Sequence, residues 1–389
     1  MEAHGSIAVQ VSPVPSTAPT YALAWTSANG EKPQSAGLQQ VGPDGIASFL
    51  LRIDRTYAVG AFTDLNRNHA YDVGEPADYV RDIRPLSLSD PNVRPRMLKL
   101  NLQPRHGLPA GTTIAIPKEN KELGGELNLA LGEVVSLDDK RFAADVGGGG
   151  VWRPLDFLSN NRLGIYFTEP YDSKRIPVLL VYGIGGTAQD WRYFSYQFDR
   201  KRYQLWFFHY PSGARLGRLS HAMAAGLNLL RQRYGFTQCD VIAHSMGGLV
   251  AAAGINEAVR TAGVNFIPKF VSISTPWAGH QAAESGIRRL KKPVPSWLDV
   301  APNSEFLERM YLSRLPGGTR HLLIYGSKPG GPFWLKGEND RVVTVESETD
   351  PRIKNYASRV IHLPYEHVEI LSEQKTLAET LRFLNSGGE

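Results

Sequence analysis

The spacing of apolar positions changes partway along the chain. Up to about residue 102 they fall in short or alternating runs: Ile7–Val11, Tyr21–Trp25, Ala47–Ile53, Tyr57–Phe62 and Met97–Leu102. Turn-rich stretches such as Ser12-Pro-Val-Pro-Ser and Gly42-Pro-Asp-Gly lie between them. Alternation sends successive side chains to opposite faces of a strand, and several short strands at this spacing predict a small all-β sandwich over residues 1–104. From 105 to 150 the pattern weakens into Pro, Gly and charged residues and ends in Gly147-Gly-Gly-Gly150. That segment reads as a connecting strap closing on a flexible hinge.

Beyond Val151 unbroken apolar runs alternate with runs of helical period. Val178–Tyr182, Tyr203–Phe208, Val241–Ala243, Phe270–Ser274, Leu322–Tyr325 and Val360–Leu363 read as buried strands. Leu219, Met223, Leu227, Leu230 and Tyr234 share one helical face, and Gly247–Arg260 and Val368–Leu384 read as further helices. Repeated β-α alternation over 151–389 predicts the α/β class, a doubly wound and mostly parallel sheet with helices on both faces.

Composition adds exclusions more than identity. With 42% hydrophobic and 21% charged residues, the chain is ordinary for a globular protein, and 389 residues fit two or three domains at roughly 100–200 residues each. No apolar run approaches the ~18 residues of a membrane span. The single cysteine, Cys239, opens an apolar run and reads as an inert core thiol, so no internal disulfide forms. The net charge of +5 is scattered except at Arg288, Arg289, Lys291 and Lys292. That patch reads either as solvated surface or as an attraction for anionic lipid, giving an expectation of membrane-surface association. No nucleic-acid motif is present, and nucleic acid is not expected as a partner.

Val241-Ile-Ala-His-Ser245-Met-Gly247-Gly-Leu-Val lies between a buried strand and an Ala/Gly-rich helix. A serine on so sharp a turn presents its hydroxyl, and small residues two before and two after it let neighbouring chain pass close. The alternative is a serine that merely caps the helix. A second signal is Val178-Leu-Leu-Val-Tyr-Gly183-Ile184-Gly-Gly186, an apolar strand ending in a glycine-rich turn. Such a turn can aim backbone N–H groups at a developing oxyanion. A dinucleotide loop is disfavoured because the third glycine of G-x-G-x-x-G is missing. Serine needs a general base, and the base needs an orienting carboxylate. Asp340, in Gly337-Glu-Asn-Asp-Arg-Val-Val, and His367, in Pro364-Tyr-Glu-His-Val-Glu, follow in the order Ser–acid–His. Glu338 is the competing acid. His362, inside a strand, is expected to pack into a sheet face, His244 to point away from the nucleophile, and His280 and His321 to be structural.

Together these four elements resemble the α/β-hydrolase superfamily, close to bacterial lipases and to hydrolases related to inositol-deacylating enzymes. The resemblance spans roughly residues 155–389. It implies Ser245 as nucleophile, His367 as base, Asp340 as acid, and the N–H groups of Ile184 and Met246 as the oxyanion hole. Tyr182 departs from it, standing where that loop usually has histidine. Ser272-Ile-Ser-Thr-Pro276-Trp-Ala-Gly279-His resembles the turn after the family's elbow. The stretch 277–320 that follows, carrying Trp297, Leu298, Phe306, Leu307, Met310 and Tyr311, is expected to be a lid over Ser245. The expected activity is an esterase or lipase acting on ester or lipid substrate, with no cofactor required. The alternatives are phospholipid acyl hydrolysis, acyl transfer to another alcohol, and a non-catalytic envelope protein with the same fold.

Asp64-Leu-Asn66-Arg-Asn68-His-Ala70-Tyr-Asp72-Val-Gly-Glu75 stands apart from this chemistry. Asp64, Asn66, Asn68, Asp72 and Glu75, with the carbonyl of Ala70, fall at calcium-loop spacing. Against calcium, His69 stands where that loop needs glycine. The alternative is an Asn/Asp turn held by its own hydrogen bonds. A structural calcium here would suit an exported bacterial envelope protein, periplasmic or lipid-anchored. Met1–Ser6 has no apolar stretch of a leader, so the leader is expected to be absent from this sequence.

Overall fold

The computed structural model describes residues 4–386 apart from 16, 27–34, 42–44, 69, 88–96, 105, 110–128, 162 and 333–334. Gly42-Pro-Asp, His69 and residues 105 and 110–128 of the expected strap therefore lie outside the described residues. The chain forms two compact units, Met1–Leu129 with Asn228–Gly235, and Ala130–Leu227 with Phe236–Glu389. No helix among the described residues is long and apolar enough to cross a membrane.

The first unit holds β1 (His4–Ser12), β2 (Thr20–Thr26), β3 (Ser35–Gln40), β4 (Ile46–Arg52), β5 (Tyr57–Thr63), β6 (Ala77–Ile83), β7 (Leu86–Ser87) and β8 (Met97–Asn101). One sheet has β1 between β4 and β7, with β8 also pairing β1, and the other runs β3-β2-β5-β6. Every second residue of the central strands enters the shared core: Ile7, Val9 and Val11 from β1, Ala22 and Ala24 from β2, Tyr57, Val59 and Ala61 from β5. The intervening Tyr21, Leu23 and Trp25 are also buried, against Leu108, Tyr71 and Tyr79. This is the sandwich that the alternation predicts.

The second unit is built on β9 (Ala130–Val134), β10 (Gly164–Phe167), β11 (Ile176–Val181), β12 (Tyr203–His209), β13 (Asp240–His244), β14 (Lys269–Ile273), β15 (Arg320–Gly326) and β16 (Arg359–Leu363). Their order is β16-β15-β14-β13-β11-β12-β10-β9. The run from β12 to β16 is parallel, while β10 meets β12 antiparallel. Central strands such as β11, β12 and β13 are buried throughout or nearly so, as their unbroken apolar runs require. The helices are α1 (Ala144–Trp152), α2 (Pro154–Asn160), α3 (Arg192–Gln197), α4 (Leu216–Tyr234), α5 (Met246–Ala262), α6 (Gln281–Arg289), α7 (Pro295–Val300), α8 (Glu305–Tyr311), α9 (Val345–Glu348), α10 (Pro351–Lys354) and α11 (Gln374–Asn385).

Two expectations change. Residues 130–150 are no strap: β9 is the parallel edge partner of β10, and the four glycines form part of α1. The edge strand was hidden because Ala130-Leu-Gly-Glu-Val134 is short and half-exposed. The glycines serve packing instead of hinging. A Cβ on Gly147 would lie 2.5 Å from the Gly185 carbonyl oxygen and 2.8 Å from that of Gly186. The last helix also starts later than expected, at Gln374, because the chain first makes a short 3₁₀ turn at Glu369–Ser372 and is extended at Glu373.

Alanine normally favours a helix over glycine by ~1 kcal/mol. Gly148 has open space where a Cβ would go. Gly148→Ala is therefore expected to raise the melting temperature, whereas Gly147→Ala lowers it by forcing α1 off the turn after β11. Equal melting temperatures for the two variants would contradict this packing.

Candidate active site

In an open parallel sheet, the carboxyl ends of the strands converge on one edge. Four loops leave β11, β13, β15 and β16 on that edge. Ser245 follows β13 directly, with φ 53° and ψ −136°. That is a left-handed φ for a side chain that rarely adopts it. The turn is fixed on both sides, by Ser245 N–H donating to the Ile273 carbonyl and Gly248 N–H donating to the Ser245 carbonyl, each at 2.9 Å. A Cβ at Gly247 would lie 2.2 Å from the Tyr182 carbonyl oxygen, so only glycine lets α5 start so close to β11. A Cβ at Gly183 would lie 3.2 Å from Ser245 Oγ, which places the β11 turn directly against the serine hydroxyl.

Ser245 Oγ lies 2.8 Å from His367 Nε2, and His367 Nδ1 lies 2.5 Å from Asp340 Oδ2. With Nδ1–H donating to the carboxylate, Nε2 is left to accept the serine proton. The other carboxylate oxygen, Oδ1, accepts from Val342 N–H at 3.0 Å and Val343 N–H at 2.6 Å. Burial pushes the Asp340 pKa upward, but the His367 hydrogen bond and charge, with the two amides, bring it below the usual carboxylate range. His367 N–H also donates to the Asp340 carbonyl at 2.9 Å, joining the two loops through backbone. Glu338, the competing acid, is exposed and accepts from Ser327 Oγ at 3.3 Å instead.

Ile184 lies in the turn after β11, and Met246 is the first residue of α5. Neither N–H has a protein acceptor among the described residues. Tyr182 takes part in holding that turn. Its ring stacks on Tyr210 at 4.5 Å, its hydroxyl donates to the Tyr210 carbonyl at 2.6 Å, and the Tyr210 hydroxyl donates back to the Tyr182 carbonyl. Gly185 N–H donates to Ser212 Oγ at 2.9 Å. Thr187 and Asp190 close a capping box immediately after.

Sequence reasoning misplaced one histidine and missed other support. His244 turns toward the site: Nε2 donates to the His367 carbonyl at 2.8 Å, and the two rings lie 4.8 Å apart. His321 is structural, as expected, bonded to Ser272 Oγ at 2.8 Å and stacked on Phe270. His362, on the edge strand β16, is exposed, bonded to Ser327 Oγ at 2.7 Å and with its ring 5.1 Å from that of Tyr325 on the neighbouring strand. His280 caps α6 through Ala282 N–H. Glu348, unremarked in the acidic run Glu346-Ser-Glu-Thr-Asp350, is buried beside Asp340. Its only sequence signal was position, a few residues beyond the acid loop.

The stretch 277–320 forms α6, α7 and α8. Leu307 and Met310 are buried, while Leu298 is exposed. Asp299 of α7 pairs with Arg215 at 2.7 Å, and Ser296 N–H donates to the Gly213 carbonyl at 2.9 Å, so α7 is tied to the loop after β12. Trp297 meets Trp152 of α1 edge-to-face at 5.6 Å. A cavity of about 190 Å³ lies between the acid loop and the head of this stretch, lined in part by Ala278, His280, Val342 and Val343. Ser245 does not line it.

In the first unit, residues 64–75 form a self-bonded loop. Asp72 Oδ2 accepts from the side-chain amides of Asn66 and Asn68 at 2.7 and 2.6 Å, so these three tips converge. Glu75 accepts from the amides of Leu65 and Asp72, and Ala70 N–H donates to Asn68 Oδ1. Asp64 accepts from Asn68 N–H at 3.2 Å. The acidic side chains of this loop do not form a close metal-ligating group; among the described residues that arrangement occurs only at Asp340, Glu348 and His367.

Burial, joined at His209 by the charge of Arg141 and at His244 by that of His367, pushes His209, His244 and His321 each down to about 3. Free histidine titrates near 6.5, so between those values the unfolded chain holds more protons and stability rises with pH. The melting temperature is expected to fall steadily as the pH drops from 7 to 4. A melting temperature constant over that range would contradict neutral burial of these rings.

The comparisons agree with this architecture. Residues 176–304 match the family model described as alpha/beta hydrolase fold. No curated protein matches the chain. Among solved structures, a Listeria innocua gene product is similar at 20% identity and TM-score 0.43, over 55% of this chain and 96% of that one. The mature Bacillus licheniformis lipase is similar at 16% identity and TM-score 0.45, over 57% and 97%. A Pyrococcus furiosus esterase is similar at 19% and TM-score 0.39, over 55% and 82%. On the strand order, the turn at Ser245 and the match over residues 176–304, the second unit has the α/β-hydrolase fold, and the first is an all-β sandwich.

Proposed function

We propose that the protein is a serine esterase or lipase that cleaves carboxylic esters through an acyl-enzyme on Ser245. The observation that carries this reading is the unbroken chain from Ser245 Oγ through His367 to Asp340, at 2.8 and 2.5 Å, set on a strained turn. In the proposed mechanism Ser245 Oγ attacks the ester carbonyl carbon as its proton passes to His367 Nε2. Asp340 stabilises the imidazolium. The carbonyl oxygen becomes an oxyanion facing the N–H groups of Ile184 and Met246, where each donor contributes about 10²–10³ in turnover. The intermediate collapses, the alcohol leaves with the proton from His367, and an ester bond to Ser245 remains. Water, deprotonated by His367, then attacks that ester and releases the acid.

The surroundings favour an apolar substrate. Large apolar side chains stand exposed on three of the four loops: Ile184 at 43%, Val342 at 37% and Val368 at 64%. Trp152 and Leu298, on the mutually packed α1 and α7, are exposed as well. A rim of this kind suits acyl chains and leaves room for lipid esters, with 277–320 as the cover.

Hydrolysis of p-nitrophenyl esters from acetate to palmitate tests the reading. Wild type is expected to turn over, and Ser245→Ala to lose about 10⁴–10⁶ in kcat while folding normally. Asp340→Asn is expected to lose about 10⁴. Chain-length preference separates esterase from lipase. Ser245→Ala with undiminished turnover would sink the proposal, and a folded wild type inert to every ester would favour a non-catalytic envelope protein.

Calcium at residues 64–75 is a separate proposal, supported by the converging tips of Asn66, Asn68 and Asp72. Saturating calcium at about 100 times its Kd is expected to stabilise the sandwich by about 2.7 kcal/mol. The gain should vanish in Asp72→Ala. A thermal melt unmoved by calcium or by chelator removes the ion and leaves a hydrogen-bonded turn.

A further inference from the structure

Glu348 is a carboxyl group the mechanism above does not use. It ends the four-residue α9, one turn beyond the acid loop, and is 1% exposed. One ligand atom each of Glu348, Asp340 and His367 lies within 4.8 Å of the others. The surroundings offer an ionised Glu348 little. Oε1 lies 3.5 Å from the Gly326 amide, at the limit of a hydrogen bond. Oε2 has no hydrogen-bond donor among the described residues. The Ser274 hydroxyl, at the tip of β14, and the ring of Tyr325, in β15, are the other polar groups near it. Among the described residues no lysine or arginine pairs with it; the groups acting on it are Asp340, Ser274 and the Gly326 amide. Two carboxylates so close cannot both stay charged in a buried site. Asp340 is the one that holds its charge, because it has His367 and two amides.

We propose that Glu348 is a positioning residue for the active site, a buried neutral carboxylic acid whose proton is donated to the Asp340 carboxylate. This rests on the reading of Asp340 and His367 as acid and base. The neutral acid supplies Asp340 with a further donor and adds no second charge beside the histidine. It thereby holds the carboxylate against His367 and limits how tightly the Asp340–His367 pair grips a proton. Burial first, then the charge of Asp340, push the Glu348 pKa well above the usual carboxylate range, in keeping with a neutral group. A Cβ on Gly326 would lie 3.2 Å from Asp340 Cβ and 3.5 Å from Ser274 Oγ, so these groups pack around the same point.

Infrared spectroscopy and the pH profile test this together. The wild type at neutral pH is expected to show the carbonyl stretch of a protonated buried carboxyl, absent from Glu348→Gln. Glu348→Gln keeps a neutral donor, so the acid limb of kcat/KM is expected to stay in place. Glu348→Leu removes the donor, the pair holds its proton more tightly, and the acid limb is expected to move up by about half a pH unit or more. Absence of the stretch would overturn the proposal. So would a downward shift in Glu348→Gln, the sign of a lost negative charge, or an unshifted, fully active Glu348→Leu. If Glu348→Leu fails to fold, the stretch and the glutamine profile decide. If the wild type hydrolyses no ester, the enzymatic reading fails, and the infrared band still reports the protonation of Glu348.

Discussion

The site depends on one backbone constraint, the turn at Ser245. Its φ of 53° places a non-glycine residue where backbone strain costs about 1–3 kcal/mol. The strain persists because the surroundings over-determine it: a buried strand before, a long helix after, and hydrogen bonds to Ile273 and Gly248. The small residues that flank it follow from the same geometry. Gly247 lies against the end of β11, Gly248 against Thr275, and Gly183 against Ser245 itself. Each close approach brings a loop to the hydroxyl, so the elbow organises the turn after β11 as well as Ser245.

Several buried titratable groups around that turn are kept neutral. His209, His244 and His321 are pushed down to about 3 by burial, and Glu348 is pushed up. Asp340 is held ionised, by His367 and by two backbone amides. In a medium of low effective dielectric a lone, well-bonded charge acts strongly on the imidazole beside it. The neutral groups nevertheless take part. His244 bonds the His367 backbone, and the stacked Tyr182–Tyr210 pair holds the start of the turn after β11.

What could be read from sequence was what chain order and apolar runs encode. Strands buried on both faces announce themselves, as Val178–Tyr182 and Tyr203–Phe208 did. Ser245, Asp340 and His367 could be picked out because each follows a strand in the order the fold requires, and the structure brings the three together. What could not be read depends on contacts across the chain. Ala130–Val134 is too short and too exposed to stand out as a strand, and Gly147–Gly150 looks like a hinge until Gly185 and Gly186 are seen against it. Glu348 sits in an acidic run that resembles solvated surface, and only the fold places it beside Asp340. His244, the residue before the nucleophile, gave no hint that its ring turns back to the His367 carbonyl.

The central claim is that Ser245 is an activated nucleophile, made so by His367 and Asp340. The most direct test is covalent labelling by a fluorophosphonate, with the modified peptide identified by mass spectrometry and the rate followed against pH. A stoichiometric adduct on Ser245 is expected, forming at a rate that falls as His367 protonates and that collapses in His367→Ala. No adduct, an adduct on another residue, or a labelling rate indifferent to His367 would contradict the account.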